Sequence, residues 1–427
     1  MARLKSKRGI ALVMLLATAL TSAAGAGVLA NRVEEALPPP ELTVHEWGTF
    51  TTFAGSDGKL LRFQPDNDDL PAFVHRSPRA GKFPSPSSSF TGPTLVSMET
   101  PVLYFYSDRE LTVAVDVVFP HGKITEWYPR QTPGNPVSWL RYDNLRIIPG
   151  GTHPLPTDQP PDVTATQTIP PIAPPPPSHY YAARETDADR VQVEWNEPLP
   201  TATPSWLGVV RDKLGWKERP VRHVETEKFI FYRGTADMDI PLRVAALDRD
   251  RVRIQSTGRR IAAAVLLHVE NGELSFQEIG GIEPEGAVLE LPNEPAGRPA
   301  LVEVLVRQLT GAGLYEKEAR AMVKTWESAW LAEDGTRLLY LVPQRYTDEV
   351  LPLRVSPQPK AVVRVLVGRH DFLTREREAS IDHHARALLS EQLSEAARAE
   401  ISANFNKFGR FAAPALAAAH RRLRSTP

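Results

Sequence analysis

Leu42-Thr43-Val44-His45-Glu46-Trp47-Gly48-Thr49-Phe50-Thr51-Thr52-Phe53 is the stretch on which the reading of this chain turns. Threonine, valine, tryptophan and phenylalanine suit a pleated surface and lose side-chain freedom in a helix, so the segment reads as a strand. Gly55-Ser56-Asp57-Gly58 closes it with a turn. Outward from there, Pro101–Tyr106, Leu111–Phe119 and Lys123–Tyr128 read as strands joined by Ser107–Glu110 and His121-Gly122. No helical spacing separates them, so an antiparallel meander is expected and a parallel sheet is not.

Farther along, His179–Arg184, Arg190–Trp195 and Lys228–Tyr232 resume strand character. Leu242–Leu247, Val252–Ser256, Ile261–Val269, Glu273–Glu278 and Val288–Leu291 follow as short strands. Turn signals such as Asn271-Gly272 divide this series, a spacing typical of a β-sandwich, and Val252–Glu278 has the strand pattern of an immunoglobulin-like domain. After Pro299 the period changes. Ala300–Leu309 and Tyr315–Leu331 carry helical spacing, with Met322, Trp326 and Trp330 on one face. Strands Thr336–Val342, Leu351–Val355 and Ala361–Val367 precede helices Thr374–Leu393 and Ser394–Arg424, the last interrupted near Gly409 and Pro414. The expected fold is mainly β, with antiparallel sandwich-like sheets, closed by a C-terminal α/β (α+β) unit. The expected organisation is a signal peptide over 1–30, a β-rich region over 31–195 with a proline-rich loop at 132–178, a sandwich region over 196–295 and an α+β region over 296–427.

The signal peptide rests on Arg3, Lys5, Lys7 and Arg8, then the apolar run Ile10–Leu20, then small residues to Ala30. That order implies export, to the periplasm or the extracellular space, or anchoring to the membrane by residues 10–30. The chain of 427 residues has no cysteine, so disulfides, thiolate metal sites and cysteine nucleophiles are excluded. Without those four cations, 46 basic side chains face 51 acidic ones, a balance that argues against nucleic acid as a partner. Ten of the 40 prolines fall between Pro154 and Pro177, a run that favours extended surface structure over sheet.

No complete catalytic signature is present. His45-Glu46 lacks the second histidine of a His-Glu-x-x-His helix, and neighbours on a strand point to opposite faces. His45 could join His75 or His121 around a divalent metal, although no cofactor is expected from the sequence itself. His370-Asp371 and Asp382-His383-His384 are poor chelates for the same reason of divergence. Glu99 opens an apolar, aromatic strand, where a carboxylate must be paired or solvated; Asp116 and Glu126 stand in similar places. Paired carboxylates beside rings suit glycoside chemistry, whereas salt bridges to Arg184 or Arg233 would make them structural. Tyr104, Tyr106, Trp127, Tyr128, Trp139, Tyr180 and Tyr181 form a stacking platform if exposed and core if buried.

His45-Glu46-Trp47-Gly48-Thr49-Phe50-Thr51, Met98-Glu99-Thr100-Pro101 and His179-Tyr180-Tyr181-Ala182-Ala183-Arg184-Glu185 together resemble a family of exported bacterial proteins without assigned activity. Lys228–Gly234, Ala321–Trp326 and Val365–Arg369 carry the same resemblance. It implies export and a single composite architecture, and it transfers no catalytic residues. Two functions are therefore expected. The first is an envelope protein that binds a glycan or a protein partner without catalysis. The second is an exported hydrolase, metal-dependent or glycosidic, with His45, Glu46, Glu99, Arg184 and Glu185 gathered into one cleft.

Overall fold

A computed structural model describes residues 40–65, 70–77, 93–158, 178–197, 220–389 and 393–425. The expected signal segment and residues 159–177 of the proline-rich run lie outside the described residues. Pro40–Pro427 forms one compact unit.

Its centre is a nine-stranded sheet. From edge to edge the order is β13 (Glu273–Ile279), β12 (Ala264–Glu270), β15 (Gly335–Leu341), β17 (Ala361–Phe372), β1 (Thr43–Ala54), β3 (Val96–Tyr106), β9 (Ile230–Ala236), β5 (Gly122–Tyr128) and β2 (His75–Arg76). A five-stranded sheet runs β16 (Leu353–Ser356), β4 (Leu111–Val118), β6 (Trp139–Ile148), β7 (Arg190–Asn196) and β8 (Arg222–Glu227). A three-stranded sheet runs β10 (Leu242–Ala246), β11 (Arg251–Ser256) and β14 (Ala287–Glu290). The helices are α1 (Arg298–Gly311), α2 (Glu316–Leu331), α3 (Gln344–Val350), α4 (Arg375–Leu388), α5 (Glu395–Asn406) and α6 (Ala412–Ser425), with 3-10 turns at His179–Arg184 and Gly409–Phe411.

The chain is thus mainly β with C-terminal helices, in three layers. Alternation along each strand decides the layering. Val44 and Phe50 of β1, with Leu266, Leu338 and Leu366, pack against Val115 and Val117 of β4 and Val244 and Ile254 of the three-stranded sheet. On the opposite face Trp47, Val265, Leu339 and Val367 pack against Leu305, Met322, Trp326 and Trp330 of α1 and α2. A third, smaller core joins Phe53, Phe63 and Leu373 to Ile381, Phe405 and Phe411 of the C-terminal helices.

Several sequence expectations change here. β3, β4 and β5 do not form a meander: β3 lies between β1 and β9, while β4 pairs with β16 and β6 in another sheet. β3 is buried on both faces and belongs at the centre, whereas β4 alternates and belongs in a one-sided layer. β1 and β17 pair in parallel from Thr43↔Ala361 to Ala54↔Phe372, against the expectation of none. Their connection crosses most of the chain, so no local helix announces it. His179–Arg184 is a 3-10 turn, capped by Ser178, and not a strand. β6 emerges within the expected loop 132–178, and β8 lies in a part of the expected sandwich region where no strand was named. Val252–Glu278 is divided between two sheets, β11 in the small one and β12 and β13 in the central one. All three expected regions contribute strands to the central sheet.

Candidate functional site

The sequence-derived candidates separate by face and by position. His45, on the helix-facing side of β1, is 2% exposed, and its Nδ1 lies 2.7 Å from Glu318 Oε2 at the start of α2. The Tyr106 hydroxyl donates to the other oxygen of Glu318 at 2.7 Å, and the Tyr315 ring lies 4.5 Å from the imidazole. Glu46 points the other way, as strand geometry requires. It accepts from Arg364 Nε at 2.5 Å and from the Tyr232 hydroxyl. Arg184 forms a two-pronged pair with Glu227, at 3.0 Å and 2.5 Å, and lies 4.8 Å from the Tyr181 ring centre. Burial raises the Glu227 carboxyl above its ordinary range although Arg184 opposes the shift. Glu185 stands at the surface against Lys324.

His75 lies on β2, four strands from β1 and so roughly 19 Å away, and bonds Glu225 at 2.9 Å. His121 lies in an exposed turn. The three histidines therefore do not converge, and no group of three metal-ligating side chains occurs among the described residues. Nor do the aromatic residues build a sugar platform. Tyr104 and Tyr180 are 0% exposed and Tyr128 is 3% exposed, all within the helix-side core.

What the sheet does bring together is a row of charged and hydroxyl groups crossing its helix-facing side. Directly opposed positions share a face. Arg337 of β15 opposes Asp371 of β17, Arg369 opposes Thr51 of β1, and Glu99 of β3 opposes Thr49. Farther on, Glu126 of β5 opposes Arg233 of β9. Arg337 Nε donates to Asp371 Oδ1 at 2.9 Å, and Arg369 Nε donates to Oδ2 at 2.6 Å. Glu99 accepts from Thr51 Oγ1 at 2.8 Å and from both terminal nitrogens of Arg410. Burial alone would raise the Glu99 carboxyl; Arg410, with Arg233 and Arg369 nearby, outweighs it and holds the group below its usual range. Asp371 is lowered in the same way by Arg369 and Arg337.

The row ends in a cleft of about 1050 Å³ at the end of the central sheet. Asp371, Phe53 and Phe411 belong to its wall, along with His268, Arg377 and Phe408. His268 Nδ1 lies 2.8 Å from Thr336 Oγ1, and burial depresses its affinity for a proton. The Arg377 guanidinium sits 4.6 Å from the Phe408 ring centre. Among the described residues the lining contains seven carboxylates and two arginines. Asp250, Glu273, Glu290 and Asp334 take part in no salt bridge among the described residues.

Sequence reasoning reached Glu99 and Glu126, met Asp371 only as half of a poor chelate and Arg369 only within the resemblance, and did not single out Arg337 or Arg410. The visible signal was the charge within Ala361–Phe372: an apolar run, Val365-Leu366-Val367, that passes through Gly368 into Arg369-His370-Asp371. No protein-family model matches the chain, and no curated protein sequence does. Among solved structures, the Mu homology domain of Fcho1 from Danio rerio, with a bound Eps15 peptide, is matched over 78% of this chain and 97% of its own. The sequence identity is 6% and the TM-score 0.28.

Proposed function

We propose that this chain is an exported binding protein that takes a basic segment of a protein partner into the cleft at the end of its central sheet. The observation that carries the reading is the cleft itself, about 1050 Å³, with an aromatic wall and, among the described residues, seven carboxylates against two arginines. Concave surfaces of this size are the usual seat of ligands. An excess of unpaired carboxylate at the rim attracts cations and repels anionic competitors. Export rests on the order of the first thirty residues.

A protein partner is favoured over a glycan because the tyrosines that would stack on a sugar are spent in the core. The hydrolase reading needs its side chains in one place. His45 and Glu99 share a face of β1 and β3, yet Thr49, which opposes Glu99, is four residues from His45, roughly 13 Å along the strand. Buried Trp47 lies between them, and Glu46 occupies the other face.

The test is fluorescence polarisation of labelled lysine/arginine-rich, acidic and neutral peptides with the full chain. The basic peptide is expected to bind alone, more weakly as salt rises. The double reversal Glu273→Lys/Glu290→Lys is expected to weaken it about tenfold, since each rim charge contributes up to about 1 kcal/mol. Equal binding of the acidic peptide, or indifference to the reversal, would overturn the reading.

A further inference from the structure

Beside the acidic cleft, between α4 and α5, lies a smaller chamber of about 200 Å³. Arg377, Ser380, Ile381 and His384 of α4 line it, at the i, i+3, i+4, i+7 spacing that puts side chains on one helical face. Phe405 near the end of α5, with Lys407 and Phe408 just beyond it, belongs to the same lining. Arg377, Ser380 and Phe408 also line the cleft, so the two spaces adjoin.

The electrostatics reverse between them. The cleft is rich in carboxylates, whereas the chamber has Arg377, His384 and Lys407 and, among the described residues, no carboxylate. The acids of α4 closest to these in sequence, Glu378 and Asp382, turn instead to Arg422. His384 and Lys407 take part in no ion pair among the described residues. Arg377 meets Glu270 only at 3.8 Å, beyond the roughly 2.7–2.9 Å of a charged hydrogen bond. Aromatic rings position two of the three: the Arg377 guanidinium sits 4.6 Å from the Phe408 ring centre, and His384 meets Phe405 edge-on at 6.3 Å.

Donors beside Ile381, Phe405 and Phe408 suit a residue that has both an apolar side chain and a carboxylate. Within a polypeptide only the last residue has both. The volume agrees, since about 200 Å³ is below the roughly 300–1,000 Å³ of a pocket for a whole ligand and suits one terminal residue. Capture of a C-terminal carboxylate is one of the recurring ways in which proteins read peptides. We propose, resting on the reading of the cleft as the seat of a basic segment, that the chamber takes the free C-terminus of that segment. Arg377, His384 and Lys407 face its carboxylate, and the two phenylalanines face its apolar side chain. The partner is then a protein whose basic stretch runs up to an apolar last residue.

Fluorescence polarisation with the full chain tests this, using one lysine/arginine-rich peptide labelled at its N-terminus and ending in leucine. The free acid is expected to bind about tenfold more tightly than the leucine amide, the contribution of hydrogen bonds to a charged group. A peptide ending in glutamate amide, which offers a carboxylate without the apolar side chain, is expected to bind like the leucine amide. Lys407→Met/His384→Leu, outside the cleft wall, is expected to erase the preference for the free acid without weakening the amide, whose binding also reports that the variant is folded. Equal binding of acid and amide by the parent, or a preference retained by the variant, would overturn the chamber and leave the cleft standing. A glutamate amide that matches the free acid would overturn the terminal assignment. Binding of none of the three would remove the cleft reading and the chamber with it.

Discussion

At the residue scale the molecule is governed by charges that have been taken out of water and answered one by one. Glu99 and Arg410 form a nearly dry pair, with side chains 4% and 6% exposed. Removing either partner strands the other, so Glu99→Gln and Arg410→Met are each expected to cost about 3–5 kcal/mol by chemical denaturation. The double variant should cost clearly less than their sum, because the penalty is that of an unpaired buried charge. His370 supplies a pH signature. It is buried on the sandwich side of β17, its Nδ1 2.8 Å from Thr52 Oγ1, and burial depresses its pKa from 6.5 to about 4. The unfolded chain therefore takes up the proton first as pH falls. The stability contributed by the neutral ring is complete above pH 6.5 and is lost as pH drops toward 4, to a total of about 3 kcal/mol. Denaturation curves at several pH values between 7.5 and 4.5 should show that slope in the parent and a flatter one in His370→Gln.

At the scale of elements, β1 explains its own sequence. A Cβ at Gly48 would lie 2.8 Å from Pro101 Cα, where the register of β3 shifts past Thr100. The glycine in His45–Thr49 is thus a place where one backbone passes over another, and not a flexible joint. Gly48→Ala is expected to destabilise by about 1–3 kcal/mol, read as a lowered denaturation midpoint with an unchanged slope. The C-terminal helices are held differently. Phe411 stacks on Phe53 at 4.6 Å and meets Phe63 at 5.3 Å, within a core separate from the two that sandwich the sheet. Phe411→Ala is expected to cost about 3–5 kcal/mol and to increase amide exchange in α4, α5 and α6 before the central strands.

For the whole molecule, the central sheet is the unit of cooperativity. It takes β1, β2, β3 and β5 from the first third, β9, β12 and β13 from the middle, and β15 and β17 from the last. No third of the chain can complete the sheet alone. The main unfolding transition is therefore expected to coincide by near-ultraviolet circular dichroism and calorimetry, and two well-separated main transitions would contradict it. The same topology places the cleft. Its wall needs the ends of β12, β15 and β17 together with α4 and the Gly409–Phe411 turn, segments spread over more than a hundred residues of the chain.

The sequence by itself determined what period and residue type can carry: β1 as a strand, the opposed faces of His45 and Glu46, the helix α1, α2 with its tryptophan stripe, and a mainly β chain ending in helices. It also marked Glu99 as a carboxylate in need of a partner. That partner, Arg410, lies 311 residues away, and no local pattern links the two. The parallel pairing of β1 with β17, the separation of β3 from β4, the charged row and the cleft were decided only by tertiary structure. Alternation and propensity are set by neighbours a few residues apart, whereas strand order and charge pairing depend on which buried surfaces fit across the whole chain.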